Sequence, residues 1–114
     1  MDVKLVERIE TFLHLTSVRE SLVANNIANI DTPGYHTRDI NFRDELRRAE
    51  MSAGELPEPA VHNVPGLLQR PDGNNVDMDR EALLLAQLQL QYSLGVQLIR
   101  QQFKRLQTAI TQSE

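Results

Sequence analysis

The stretch DMDREALLLAQLQLQYSLGVQLIRQQFKRLQTAITQ, residues 77–112, decides the architecture. Asp77 is a good N-cap, and Asp79 and Glu81 sit where a helix N-terminus favours negative charge. A 3-4 spacing then runs Ala82, Leu85, Gln89, Tyr92, Val96, Ile99, Phe103, Leu106, Ile110, with Gln89 its only polar member. This is the pattern of a coiled-coil seam held for about four heptads. At 1.5 Å per residue the helix is roughly 50 Å long. Leu83, Leu84, Leu88, Leu90, Leu94 and Leu98 extend the apolar surface past one seam, so one partner helix does not cover it. Gly95, costly inside a helix, suggests close approach of a neighbouring backbone.

A second long helix is expected over residues 3–30. Val6, Ile9, Leu13, Val23 and Ile27 fall on one stripe, flanked by Leu5, Phe12 and Leu22. Thr16 and Glu20 weaken the middle of that stripe, while Arg8, Glu10 and Arg19 face elsewhere. A short helix is expected near 42–52, capped by Asn41, with Asp44 and Glu45 in its first turn and Arg47 and Arg48 near its end. Phe42, Leu46 and Ala49 give it a thin apolar stripe. Residues 54–75 hold four of the five prolines and three of the five glycines, which reads as a loop or tether.

The expected fold is therefore all-α. Two long antiparallel helices form a coiled-coil-like hairpin, joined across 31–76 by a loop region with one short helix. The 114 residues make one domain. Aromatic residues are only 4% and Trp is absent, which suits helix–helix seams better than a ring-filled core. The surplus apolar surface of the last helix predicts self-association or insertion into a larger assembly. A small bundle wrapped by its own loop is the alternative, but the loop has few large apolar residues with which to wrap.

Function classes narrow by exclusion. A net charge of −4 argues against a nucleic-acid binder, which carries a basic stripe. With no cysteine there is no disulfide, thiolate nucleophile or cysteine-bound metal. His14, His36 and His62 lack metal-ligand spacing. His14 and Ser17 lie one helical turn apart, which is more often a surface contact than a nucleophile with its base. Asp72–Glu81 looks like a calcium loop, but neither Asp72 nor Asp77 as first ligand puts Gly sixth and Glu twelfth. No catalytic residue, metal, cofactor or small-molecule substrate is expected. The N-terminus has no cleavable secretory signal, and no apolar run is expected to cross a bilayer.

The stretch NNIANIDTPGY, residues 25–35, is unusual in placing three asparagines at a helix end. Asparagine competes with the helical backbone for hydrogen bonds. Asn25, Asn26 and Asn29 share a face. Thr32-Pro33-Gly34-Tyr35 fits a type II turn, with Pro where φ is near −65° and Gly where φ is positive. These amides can bond both the emerging loop and a neighbouring chain; the alternative is an ordinary helix stop with solvated asparagines.

Asn26, Ala28, Asn29, Thr32, Gly34 and Tyr35 reproduce the pattern Asn-x-Ala-Asn, two residues, Thr-x-Gly-Tyr. In this the chain resembles the bacterial flagellar rod and hook family. The run DGNNVD, with Asp72, Gly73, Asn74, Asn75 and Asp77 leading into the last helix, together with RDINF at residues 38–42, resembles the family's proximal rod members. Asn25, His36 and Met78 are mild departures from its usual residues. The resemblance implies a structural subunit whose terminal helices pair lengthwise and stack into a hollow, torque-transmitting tube. It implies self-association and contact with other rod subunits, the hook–basal-body adaptor protein and the MS ring. It also implies export through the flagellar type III apparatus without signal cleavage, to the periplasmic rod of the basal body. The assembly seam would be Leu85, Tyr92, Val96, Ile99, Phe103, Leu106 and Ile110. The alternatives are another rod or hook subunit, and a soluble coiled-coil adaptor or export chaperone.

Overall fold

The structure, a computed structural model, describes residues 2–52 and 54–112; Met1, Ala53, Ser113 and Glu114 of the expected 1–114 domain lie outside the described residues. The order of elements is α1 (Val3–Ala28), β1 (Arg38–Ile40), α2 (Phe42–Met51), β2 (Val61–Asn63) and α3 (Met78–Gln112). The chain is mostly helical and elongated, with extents of 69 × 28 × 18 Å.

Each helix starts where a short polar side chain caps it. Asp2 accepts the Leu5 N–H at 3.2 Å, Asn41 the Asp44 N–H at 3.1 Å and Asp77 the Arg80 N–H at 3.2 Å. The first helix stops at Ala28, two residues short of expectation. Beyond it the chain tightens into i→i−3 bonds, Ile30 N–H to Ile27 O at 3.2 Å and Thr32 N–H to Asn29 O at 3.0 Å.

Helices α1 and α3 run antiparallel. Asn26 touches Glu81 at one end, and a Cβ at Gly95 would lie 2.6 Å from Leu13 Cδ2 further along. Val6, Ile9 and Val23 are buried on the expected stripe of α1, with Leu13 and Ile27 half-buried. Thr16, expected to weaken that stripe, is fully buried, its hydroxyl donating to Phe12 O at 2.7 Å. The other flank of α1 carries α2, where Phe12 and Phe42 meet edge to face at 5.4 Å.

The chain is not all-α. β1 and β2 pair antiparallel, Arg38 opposite Asn63, Asp39 opposite His62 and Ile40 opposite Val61. Part of the Pro-rich segment is thus held against the helix exit, continued by the Val64 N–H donating to Thr37 O at 2.9 Å. Each strand is only three residues long, too short for alternation to declare it.

By length and composition α3 does reach the range of a membrane-crossing helix, contrary to the sequence expectation. No charged residue lies between Glu81 and Arg100. Gln87, Gln89, Gln91, Ser93 and Gln97 interrupt the apolar run without removing it.

Candidate functional site

The asparagine stretch resolves into a polar clamp that joins three parts of the chain. Asn26, 1% exposed, uses its whole amide. Its Nδ2 donates to Arg38 O at 3.0 Å and to Glu81 Oε2 at 3.2 Å. Its Oδ1 accepts from Tyr35 OH at 2.9 Å and from the Arg38 N–H at 3.0 Å. One side chain thereby ties the end of α1 to β1 and to the first turn of α3. Glu81 is fully buried, and its other oxygen accepts from Arg80 Nη1 at 2.8 Å.

Asn29 works on the helix end itself. Its Nδ2 donates to Asn25 O at 2.8 Å and its Oδ1 accepts from Thr32 Oγ1 at 3.0 Å. The turn closes as expected, with Gly34 at φ 76° and the Tyr35 N–H donating to Thr32 O at 3.2 Å. Ala28 and Pro33 are exposed, Ala28 as the last helical residue and Pro33 within the turn.

The second motif docks on the first. Asn74 is fully buried, and its Nδ2 donates to Asn29 O at 2.8 Å and Thr32 O at 2.9 Å, a second bond to each of two carbonyls that already accept a backbone N–H of the turn. Asn75 Oδ1 accepts the Thr37 N–H at 2.7 Å and the Thr37 hydroxyl at 2.9 Å. The Gly34 N–H donates to Asp72 O at 2.9 Å, and a Cβ on Gly73 would stand 3.2 Å from Gly34 Cα.

Two members of the clamp escaped sequence reading. Arg70 donates to Val76 O at 2.8 Å and to Ile30 O, pinning both motifs. Arg19, expected to face elsewhere, makes a two-pronged pair with Asp39, both contacts at 2.9 Å. Those hydrogen bonds push the guanidinium pKa further up, against the opposing effect of burial. No signal within one segment marks either pairing, because Asp39 lies 20 residues from Arg19 and Ile30 lies 40 residues from Arg70.

The α3 surface differs from the expected seam in phase. The line against α1 is Glu81, Leu88, Gly95 and Gln102, seven residues apart each time and all buried. Leu85, Val96, Ile99 and Leu106 flank it half-buried, while Tyr92, Phe103 and Ile110 are 41%, 52% and 55% exposed. On the other flank Leu83, Leu90, Leu94 and Leu98 are each at least half exposed. The intrachain line is a thin one. Leu88 is its one large apolar member, between Glu81 at one end and Gly95 and Gln102 towards the other, and the buried Gln91 Oε1 finds no partner. His14, His36 and His62 lie apart on α1, after the turn and on β2. Among the described residues no three His, Asp or Glu gather to hold a metal ion.

A clamped head thus carries a long helix that is apolar on both flanks, and comparison of sequences places this chain among flagellar basal body rod proteins. The family model described as flagella basal body rod protein matches residues 14–36, the clamp half of α1 and its turn. The likeness to individual proteins runs nearly the whole length. The flagellar basal body rod protein FlgB of Salmonella typhimurium is 35% identical over 86% of each chain. That of Escherichia coli is 33% identical over 86% of each, and that of Bacillus subtilis 29% over 93% of this chain and 92% of its own. The chain belongs to the FlgB family, and is a structural subunit of the basal body rod. This selects among the alternatives that the sequence left open.

Proposed function

We propose that this subunit sits in the proximal part of the rod and builds it through lengthwise pairing of its terminal helices. In this reading α1 and α3 form a coiled-coil-like hairpin, one domain with the clamp as its fixed end. Leu85, Tyr92, Val96, Ile99, Phe103, Leu106 and Ile110 meet sister subunits and other rod subunits. The hook–basal-body adaptor protein and the MS ring lie below it. The chain reaches the periplasmic rod through the flagellar type III apparatus, with no cleaved signal. The clamp residues Asn26, Ala28, Asn29, Thr32, Pro33, Gly34 and Tyr35, with Asp72, Gly73, Asn74, Asn75 and Asp77, hold the angle at which each helix pair leaves its head. A shaft that transmits torque needs that angle fixed in every copy.

One observation carries the reading: α3 exposes apolar side chains on both flanks of its contact with α1, across a run with no charge. A contiguous apolar surface of this kind marks a site of contact with a partner. The test is a strain lacking the chain, supplied with the wild type or with Ile99→Asp. The variant is expected to fold at its head and be exported, yet to give no rod and no swimming. Normal motility of Ile99→Asp would overturn the seam.

A further inference from the structure

We propose that the basic end of α3 in one copy docks in a groove between α1 and residues 55–61 of a second copy. The proposal rests on the self-assembly reading above and names the two faces that meet.

The donor is the far end of α3. With Asn26 beside Glu81 and Leu13 beside Gly95, Val3 falls opposite about residue 105, so the rest of α3 runs on past the start of α1. Residues 100–112 hold Arg100, Lys104 and Arg105 and no acid. Among the described residues none of the three forms an ion pair. Phe103 stands beside them, 52% exposed. A cationic helix end with an uncovered aromatic is half of an interface.

The acceptor is an open groove of about 440 Å³. His14 and Val18 of α1 form one wall; Leu56, Glu58 and Val61 form the other, with two prolines between them. Leu56 and Val61 are 48% and 49% exposed. Residues 54–61 carry Glu55 and Glu58 and no Lys or Arg. The groove thus offers apolar walls under an acidic lip, which complements the donor in both respects. The prolines set the wall without offering a strand to pair with. Because the two faces are different patches of one molecule, the contact is head-to-tail and repeats from copy to copy.

The absence of cysteine makes a direct test available. Chains carrying only Glu58→Cys and chains carrying only Lys104→Cys are mixed and oxidised. The mixed disulfide dimer is expected to exceed either like-with-like dimer several-fold, and to fall as salt screens the charges. A pairing of Lys104→Cys with Leu68→Cys, on an exposed loop outside the groove, gives the background. In parallel, Glu55→Lys/Glu58→Lys is expected to weaken association with itself about tenfold, equivalent to about 1.4 kcal/mol. Adding Lys104→Glu/Arg105→Glu chains to it should restore association. If sedimentation shows copies associating while the mixed dimer stays at background, the groove is wrong and assembly by other faces stands. If the wild type does not associate at any concentration, both the groove and the self-assembly reading fall.

Discussion

The side-chain amide of Asn26 pairs with the backbone of Arg38 as a neighbouring strand would, donating to its carbonyl and accepting its N–H, both at 3.0 Å. It thereby closes the open edge of β1 from inside a helix, while the same amide reaches Glu81 of α3. Asn26→Ala would leave the Arg38 backbone, Tyr35 and Glu81 short of partners in a buried site. Each such group costs about 1–3 kcal/mol, so a loss of roughly 3 kcal/mol in urea unfolding is expected. Asn26→Asp keeps the acceptor but sets a carboxylate against Glu81; its stability should improve as pH falls into the carboxylate range, which Asn26→Ala should not do.

At the turn, Gly34 and Gly73 have positive φ of 76° and 88° but different surroundings. Space is open around Gly34, so Gly34→Ala costs only the left-handed conformation, about 1–2 kcal/mol. Gly73→Ala adds a contact 3.2 Å from the Gly34 backbone, and Gly34→Val adds a branched side chain to a strained φ. Both are expected to lower the melting temperature more than Gly34→Ala. Equal shifts for all three would remove the argument.

Gly95 sets the distance between the long helices. Alanine is a better helix former by about 1 kcal/mol, yet its Cβ would stand 2.6 Å from Leu13 Cδ2 and 3.2 Å from Leu13 Cγ. Overpacking of this kind costs about 1–3 kcal/mol, so Gly95→Ala is expected to destabilise slightly. Adding Leu13→Ala to it should cost less than Leu13→Ala costs alone in the wild type. A double-mutant cycle without that coupling would show that the two residues do not touch.

Arg19 and Asp39 tie the middle of α1 to β1 through two bonds of 2.9 Å, with Asp39 buried. Arg19→Met leaves a carboxylate without its counter-ion, a loss of roughly 3 kcal/mol. Arg19→Lys keeps the charge but not the fork, and should recover only part of it. Full recovery by lysine in chemical denaturation would contradict the two-pronged geometry.

Tyr35 offers a pH readout of the clamp. Burial raises its phenol pKa above the ordinary value; the Arg38 cation, 5.7 Å from the ring centre, pulls it down, and Glu81 pushes it up again. The folded state therefore holds the protonated form more tightly than the unfolded chain does. The stability this contributes is whole below about pH 10 and is lost as pH rises through the higher folded pKa. Tyr92 is the only other tyrosine, so Tyr92→Phe isolates the signal. The phenolate absorbance of Tyr35 should titrate above the free amino acid, and a midpoint at or below that value would contradict the half-buried ring and its bond to Asn26.

Residue order alone determined the three helices, their caps at Asn41 and Asp77, and the type II turn at Thr32–Tyr35. These depend on neighbours within four residues, where capping, dipole and φ preferences act. It also determined that α3 has more apolar surface than one partner hides, because that follows from counting faces. The phase of the intrachain line was not legible. Leucine, phenylalanine and tyrosine mark the greasiest stripe, but α1 packs where Gly95 admits it and where Glu81 finds Asn26. Only tertiary structure paired β1 with β2, Arg19 with Asp39 and Asn74 with the end of α1. Those contacts join residues 20 to 45 positions apart, and no local preference encodes a partner at that distance.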